Sequence, residues 1–391
     1  MSNTVLNGSD HSLLAALLNM RSKIVRIKRH INPRPVNGCA MPSRFLPLLA
    51  WALLPGAVAA QAPTHRLVVA DHQTIQAGIG YDLRSRDFVV QRWIAYIAEP
   101  PELPSQGKVK VTCEPAGKVV AEKSPLARKV RVFDVPVAKP ASGARLVLKQ
   151  DVQAVLRSRK LEPLEADEKP PAVPALTAAE RKWYTAVTRR YDFDKVEFKN
   201  WLDFKKLNRK KGESAIDFAS RLLAVIREDY AYRFDPAEEK RASVTCERGA
   251  TDCGGMSILF ASAMRAHDIP ARTLVGRFAK PRREGAVAGE LDYDQPHARV
   301  EFHVPGIGWI PVDPTYANRG RDKPVSFYVG HDPGDLLVQH VDFDLRLPVL
   351  DKEQSTDLLQ IEPLFFAMGR GKLDVFLGPS RWELKTTSIA K

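Results

Sequence analysis

Cysteine is scarce in this chain, with four in 391 residues. Cys246 and Cys253 do not have the spacing of zinc ligands, so no metal and no cofactor are expected. Long blocks of Lys or Arg are also missing, as is any basic stripe interleaved with aromatics. The formal net charge of +13 therefore reads as a solvated basic surface, not as a nucleic-acid footprint. A mild affinity for anionic envelope polymers is compatible with it. No apolar run is long enough to span a bilayer comfortably, and no internal repeat is visible.

What is present reads as globular: 44% hydrophobic and 27% charged residues, in a chain longer than one ordinary domain. The front end is different. From Met41 the chain runs MPSRFLPLLAWALLPGAVAAQA. Arg44 is a positive n-region, Phe45 to Leu54 a short apolar stretch, and Ala57-Val58-Ala59-Ala60 a small-residue cleavage site. Residues 41–62 thus read as a secretory signal peptide and 1–40 as an over-long translation start. The mature chain is expected to begin near Ala60 or Gln61 and to be exported, periplasmic or extracellular, without stable membrane insertion. It would then keep Cys113, Cys246 and Cys253, an odd number. A Cys113–Cys246 disulfide and two buried free thiols both fit.

Residues 63–160 hold short β-rich runs such as HRLVVA, FVVQRWIAYI and KVKVTCE, broken by Pro/Gly turn material. That spacing predicts a β-sandwich. Residues 161–176, acidic and proline-rich, read as a linker. Residues 177–350 form an α+β domain, and 351–391 add strands expected to pack on it. Thr177 with Glu180 makes a capping box opening a helix that the pattern carries to Tyr191. A second helix is predicted over 213–228 from Ala215, Phe218, Ala219, Leu222, Leu223 and Ile226. A third covers Met256 to His267, ended by Asp268-Ile269-Pro270.

The chemistry concentrates at the third helix. Cys253 stands at its mouth in TDCGGMSILF, where unpaired N–H groups and the helix dipole favour a thiolate. Gly254 and Gly255 let another backbone or a substrate come close. Asp252 works against the thiolate unless it is used as a cap. Downstream, HARVEFHV and WIPV flank the turn Pro305-Gly306-Ile307-Gly308 and predict a hairpin. With its centre between Gly306 and Ile307, His297 and Asp313 fall at the same end, three residues out of register. Asp313 can then orient the His297 ring, and His297 can take the Cys253 proton: nucleophile, base and orienter. On this alternation His303 shares the face of His297 and reads as a surface residue, while His267 reads as solvated.

DCGGMSILFASAMRAHDIPAR, PHARVEFHVPGIGWIPVDPTYA and, more loosely, VSFYVGHDPGDLLVQHVDFDLRLP resemble the transglutaminase-like superfamily, relatives of papain-type cysteine proteases. The likeness covers roughly 180–350, and 63–160 is similar to the β-sandwich preceding this core in many bacterial members. It implies an α+β fold of helices packed on an antiparallel sheet, with Cys253 as nucleophile, His297 as base and Asp313 as orienting carboxylate. It implies thiol-dependent acyl transfer on protein or peptide amides, of the transglutaminase, deamidase or peptidase type. Tyr232, with Tyr230 as the alternative, takes the place of an aromatic that helps hold the oxyanion. A catalytically silent envelope binding or scaffold module is the competing implication. The chain departs from the pattern at Asp268, where glycine is usual, and at Arg299, where an aromatic is common.

Overall fold

Between His65 and Ser85 the strand alternates: Ile75, Ala77, Ile79, Tyr81 and Leu83 are each at most 2% exposed, so one face of a long strand must be covered. The computed structural model describes Leu6–Asn7 and residues 64–391 apart from 166, 236–237, 280–295, 351, 379 and 390–391. The expected signal peptide lies outside the described residues. The described residues from 64 onward form one compact unit.

Two antiparallel sheets make the expected N-terminal sandwich. In one, Val89–Ala98 lies between Leu364–Arg370 and Lys129–Ala141, with Lys118–Ala121 at the far side. In the other, His65–Ser85 pairs along its length with Arg145–Pro163, which Gln106–Glu114 also joins. Trp93, Phe133, Leu148 and Leu156 fill the space between them.

Three of the C-terminal strands take their hydrogen-bonding partners from the sandwich. Val375–Leu377 and Arg381–Ser388 pair with His65–Ser85, and Leu364–Arg370 pairs with Val89–Ala98. They complete the sandwich by pairing with its strands, and Trp382 also lies against Arg277 of the helical core at 5.2 Å. Phe365, Ala367 and Trp382 are buried in the sandwich interior, which supplies the reason. These apolar residues fill a layer whose other walls come from the opposite end of the chain, and no local pattern records that partner.

The second part is a four-stranded antiparallel sheet in the order Gly308–Val312, Pro296–Val304, Ala271–Phe278, Leu336–Val341. The helix Cys253–Ala266 packs on its two central strands. This helix is apolar nearly all round, buried from Gly255 to Arg265, as a central core helix must be. Ala215–Asp229 forms as predicted, with Ser214 as N-cap accepting from the Asp217 amide at 3.0 Å. The capping box at Thr177 is present, yet its helix ends at Tyr184. Beyond it the Tyr191 hydroxyl reaches Thr273 at 2.7 Å and Asp342 at 2.5 Å in the core, which a continuing helix would not permit. Val196–Phe204 is a helix that the pattern did not predict. Cys113 and Cys246 are free thiols, one in the sandwich and the other in the helical core.

Three histidines show how far this core departs from a half-solvated sheet. His303 is 6% exposed, edge-on to Trp309 at 5.2 Å, because both faces of its strand are covered. His267 is half-buried and not solvated, its Nε2 lying 3.0 Å from the Leu207 carbonyl. His340 is 3% exposed; its Nδ1 faces the Asp342 carbonyl at 3.0 Å and its Nε2 faces the Leu359 amide at 3.3 Å. A carbonyl on one side and an N–H on the other require a neutral ring protonated at Nδ1. Burial first, then Arg128, pushes the His340 pKa down to about 3.

The unfolded ring, near 6.5, takes up a proton before the folded one does. Stability present above pH 6.5 is therefore lost on acidification towards 3, at up to about 1.4 kcal/mol per pH unit. We expect urea midpoints to fall from pH 7 to pH 5, and to fall less steeply in His340→Gln. Parallel declines would assign the acid sensitivity to other groups.

Candidate active site

The turn of chain before Cys253 is built by Asp252. Its backbone is extended, and its carboxylate accepts from the Gly255 amide at 3.1 Å, so Cys253 is the first residue of the helix. The other carboxylate oxygen pairs with Lys240 Nζ at 3.1 Å. The charge that worked against a thiolate is thus used twice, as cap and as ion-pair partner. Gly255 has a packing reason: a Cβ there would lie 1.9 Å from Thr251 Oγ1, so only glycine fits. Cys253 itself is partly exposed.

The hairpin forms with Val300 opposite Val312 and Val304 opposite Gly308, a register one residue from that predicted. Asp313 then leaves the strand and caps the short helix Pro314–Arg319, its Oδ1 accepting from the Tyr316 amide at 3.0 Å. That bend brings its Oδ2 to 2.7 Å from His297 Nε2. In this register the offset between His297 and Asp313 is two residues, and it is closed by a helix cap and not by a bulge. Nε2 being engaged, Nδ1 is left for Cys253. The ring lies against Phe278 at 4.3 Å, with Tyr316 stacked 5.8 Å away.

His297 is 3% exposed, and burial by itself favours the neutral ring. The charge and hydrogen bond of Asp313 outweigh it, the Cys253 sulfur adds a contact, and the His297 pKa is raised to about 9. Burial likewise opposes ionisation of Asp313, but His297, Arg299 and the Tyr316 amide hold its carboxyl below the usual range. A carboxylate, an imidazolium and a thiol therefore follow one another in space, drawn from a hairpin end, a central strand and a helix mouth.

Tyr232 stands opposite Thr251 in a two-residue parallel ladder, beside the approach to Cys253, with Arg319 5.2 Å from its ring centre. The Tyr230 hydroxyl donates to the Cys246 carbonyl at 2.9 Å, so it has a structural partner away from the thiol. Asp268 has φ +58°, the left-handed turn that asparagine and aspartate tolerate. Arg299 is 2% exposed. Its Nε donates to Asp313 Oδ2 at 2.8 Å, its Nη1 to Asp332 Oδ1 at 2.9 Å and its Nη2 to Asp335 Oδ1.

Lys240, Asp332 and Arg159 were not picked out from sequence. Arg159 lies out of phase with the inward-facing Val152, Ala154 and Leu156. A sandwich considered alone assigns that face to solvent, and here the helical core covers it. Among the described residues no group of three or more His, Cys, Asp or Glu side chains is placed to hold a metal ion, and no helix is long and apolar enough to cross a membrane.

Residues 204–314 match the transglutaminase-like superfamily, and this part of the chain is a transglutaminase-like core. A protein from Cytophaga hutchinsonii, described as a candidate cysteine protease, is similar at 13% identity and a TM-score of 0.51, over 83% of this chain and 93% of that one. The two share a fold. The periplasmic domain of TgpA from Pseudomonas aeruginosa matches at 13% identity over 64% of this chain and 92% of its own, with a TM-score of 0.33, too loose a likeness to bear on the site. No curated protein matches the chain. The architecture is an α+β fold of the type that thiol-dependent enzymes use.

Proposed function

We propose that this chain is an exported acyl-transfer enzyme acting on protein or peptide amides, with Cys253 as nucleophile, His297 as general acid and base, and Asp313 as the carboxylate that orients the ring. The observation carrying this is the 2.7 Å contact of His297 Nε2 with Asp313 Oδ2, with the Cys253 side chain also in hydrogen-bond contact with His297. Export rests on the pattern of residues 41–62, and protein or envelope-polymer partners follow from that location and the basic surface.

In this reading the Cys253 sulfur attacks the amide carbonyl carbon, and a C–S bond forms as the carbonyl oxygen takes negative charge. Free N–H groups at the start of the helix, with Tyr232 as a candidate donor, stabilise that oxyanion. The C–N bond then breaks, and ammonia or an amine departs with the proton from His297. A thioester remains. An amine or water attacks it, His297 accepts the proton of the attacking group, and the thiol is regenerated. An amine gives a crosslink; water gives deamidation or peptide hydrolysis.

Iodoacetamide labelling of the exported protein tests the nucleophile. Cys253 should be alkylated first at neutral pH, since it is partly exposed beside an imidazolium. Burial raises Cys113 to about 11 and Cys246 to about 12. The rate should drop about tenfold or more in His297→Gln, as the adjoining cation is lost. The mass of the recovered chain also reports whether it begins near Ala60 or Gln61. Labelling of Cys113 or Cys246 first, or indifference to His297, would replace the enzyme by a silent binding module.

A further inference from the structure

A line of buried charges runs from the N-terminal sandwich to the carboxylate beside His297. The strand Arg145–Pro163 continues past the sandwich and pairs with His331–Asp332, placing Arg159 directly across from Asp332. Arg159 is 1% exposed. It donates from Nε and Nη2 to Asp332 Oδ2 at 3.1 and 2.7 Å, and from Nη1 to Glu301. Glu301 in turn accepts from Arg272 Nε at 2.7 Å. The other Asp332 oxygen accepts from Arg299 and from the Gly334 amide at 2.9 Å each. Arg299 ends the line on Asp313 Oδ2, the same oxygen that His297 contacts.

Burying this many ions is expensive, and well-packed apolar residues would hold the two sheets as firmly. The geometry therefore asks for a role besides cohesion. Asp313 faces two cations through one oxygen. An arginine fork touching three carboxylates can fix that oxygen in place, which a lone His–Asp contact cannot. It also takes part of the carboxylate's charge, which opposes the pull of Asp313 on the imidazole proton. A ring that must both give and take a proton works best when its proton is not held too tightly.

We infer that Arg299, anchored through Asp332 by Arg159 of the N-terminal sandwich, is a positioning residue that fixes Asp313 and moderates its hold on His297, so that the sandwich is a working part of the active site. This rests on the triad reading given above. The groups facing the His297–Asp313 pair are Cys253 from its helix, Arg299 on the same strand, the Tyr316 amide and ring, and Phe278. Behind Arg299 stand Asp332 and Asp335, the latter also accepting from the Tyr316 hydroxyl at 2.9 Å.

The test is the titration of the His297 ring, followed by NMR on histidine-labelled protein and assigned by its loss in His297→Gln. Removing the guanidinium in Arg299→Met leaves His297 as the cation facing Asp313, and the midpoint should rise by about one pH unit. In Arg159→Met it should rise less. In the double variant it should match Arg299→Met alone, because Arg159 acts through Arg299. Cooperative melting checks that each variant folds. Should the methionine variants fail to fold, Arg299→Lys and Arg159→Lys keep the charge without the fork. A single ammonium cannot hold all the carboxylates, so these should give smaller rises and broadened Asp313-side resonances.

A midpoint unchanged or lowered in the Arg299 variants overturns the inference. An unchanged midpoint in the Arg159 variants, with the Arg299 shift intact, removes the sandwich from it. A wild-type Cys253 that is inert to iodoacetamide would sink the acyl-transfer reading while leaving these titrations to stand or fall separately.

Discussion

Cys253→Ala should abolish release of ammonia or amine from glutamine-containing and other peptide substrates, with turnover falling by at least about 10³-fold. Neither of the other two described thiols is placed to substitute. Cys246 is 6% exposed, with its sulfur turned to the Ser243 carbonyl at 3.4 Å, and Cys113 lies in the sandwich. The fold should survive. Cys253 is partly exposed at a helix mouth whose cap is Asp252, so removing one sulfur there should change stability by less than about 0.5 kcal/mol. The measurement is paired: product release under saturating peptide, and a urea melt. Retained turnover with an unchanged melt would show that the thiol is a bystander.

The second large effect is expected from Asp313→Asn. The amide is isosteric, and the helix cap to the Tyr316 amide can be kept through its oxygen. What is lost is charge. The His297 pKa of about 9 depends on Asp313 against the opposing effect of burial, so in the variant the buried ring should be neutral at pH 7. The amide can also turn an N–H towards Nε2 and stabilise the wrong tautomer. Turnover should fall by about 10²–10⁴-fold, with a smaller loss of stability, roughly 1–3 kcal/mol, because Arg299 loses a charged partner. Ring titration by NMR separates the two causes. A His297 midpoint still near 9 in Asp313→Asn, with turnover intact, would mean that the carboxylate neither charges nor orients the ring.

Much of this site was legible along the chain because its parts are local. A cap, a cysteine and a glycine packed on Thr251 lie within five consecutive positions, 251–255. His297 and Asp313 are joined by a single hairpin, so a turn and the alternation of its strands bring them together without knowledge of the rest. The one-residue error in register did not matter, because Asp313 leaves the strand and its side chain comes back as a helix cap. The β-rich runs HRLVVA, FVVQRWIAYI and KVKVTCE likewise gave sandwich strands directly.

Other features depended on contacts that no window of sequence contains. His303 was assigned to the surface by period two, yet it is buried, because a strand reports only that its faces differ and not what covers the second one. The C-terminal strands pair with segments some 270 to 310 positions earlier, and local propensity is silent about such partners. Arg159 needed both conditions: a strand continuing beyond its own sandwich, and a core placed against its outer face. The sequence by itself marked out which groups could do chemistry and that one hairpin would join two of them. Only the tertiary structure decided their electrostatic setting, because burial and charge pairing depend on the groups that fold in from remote parts of the chain.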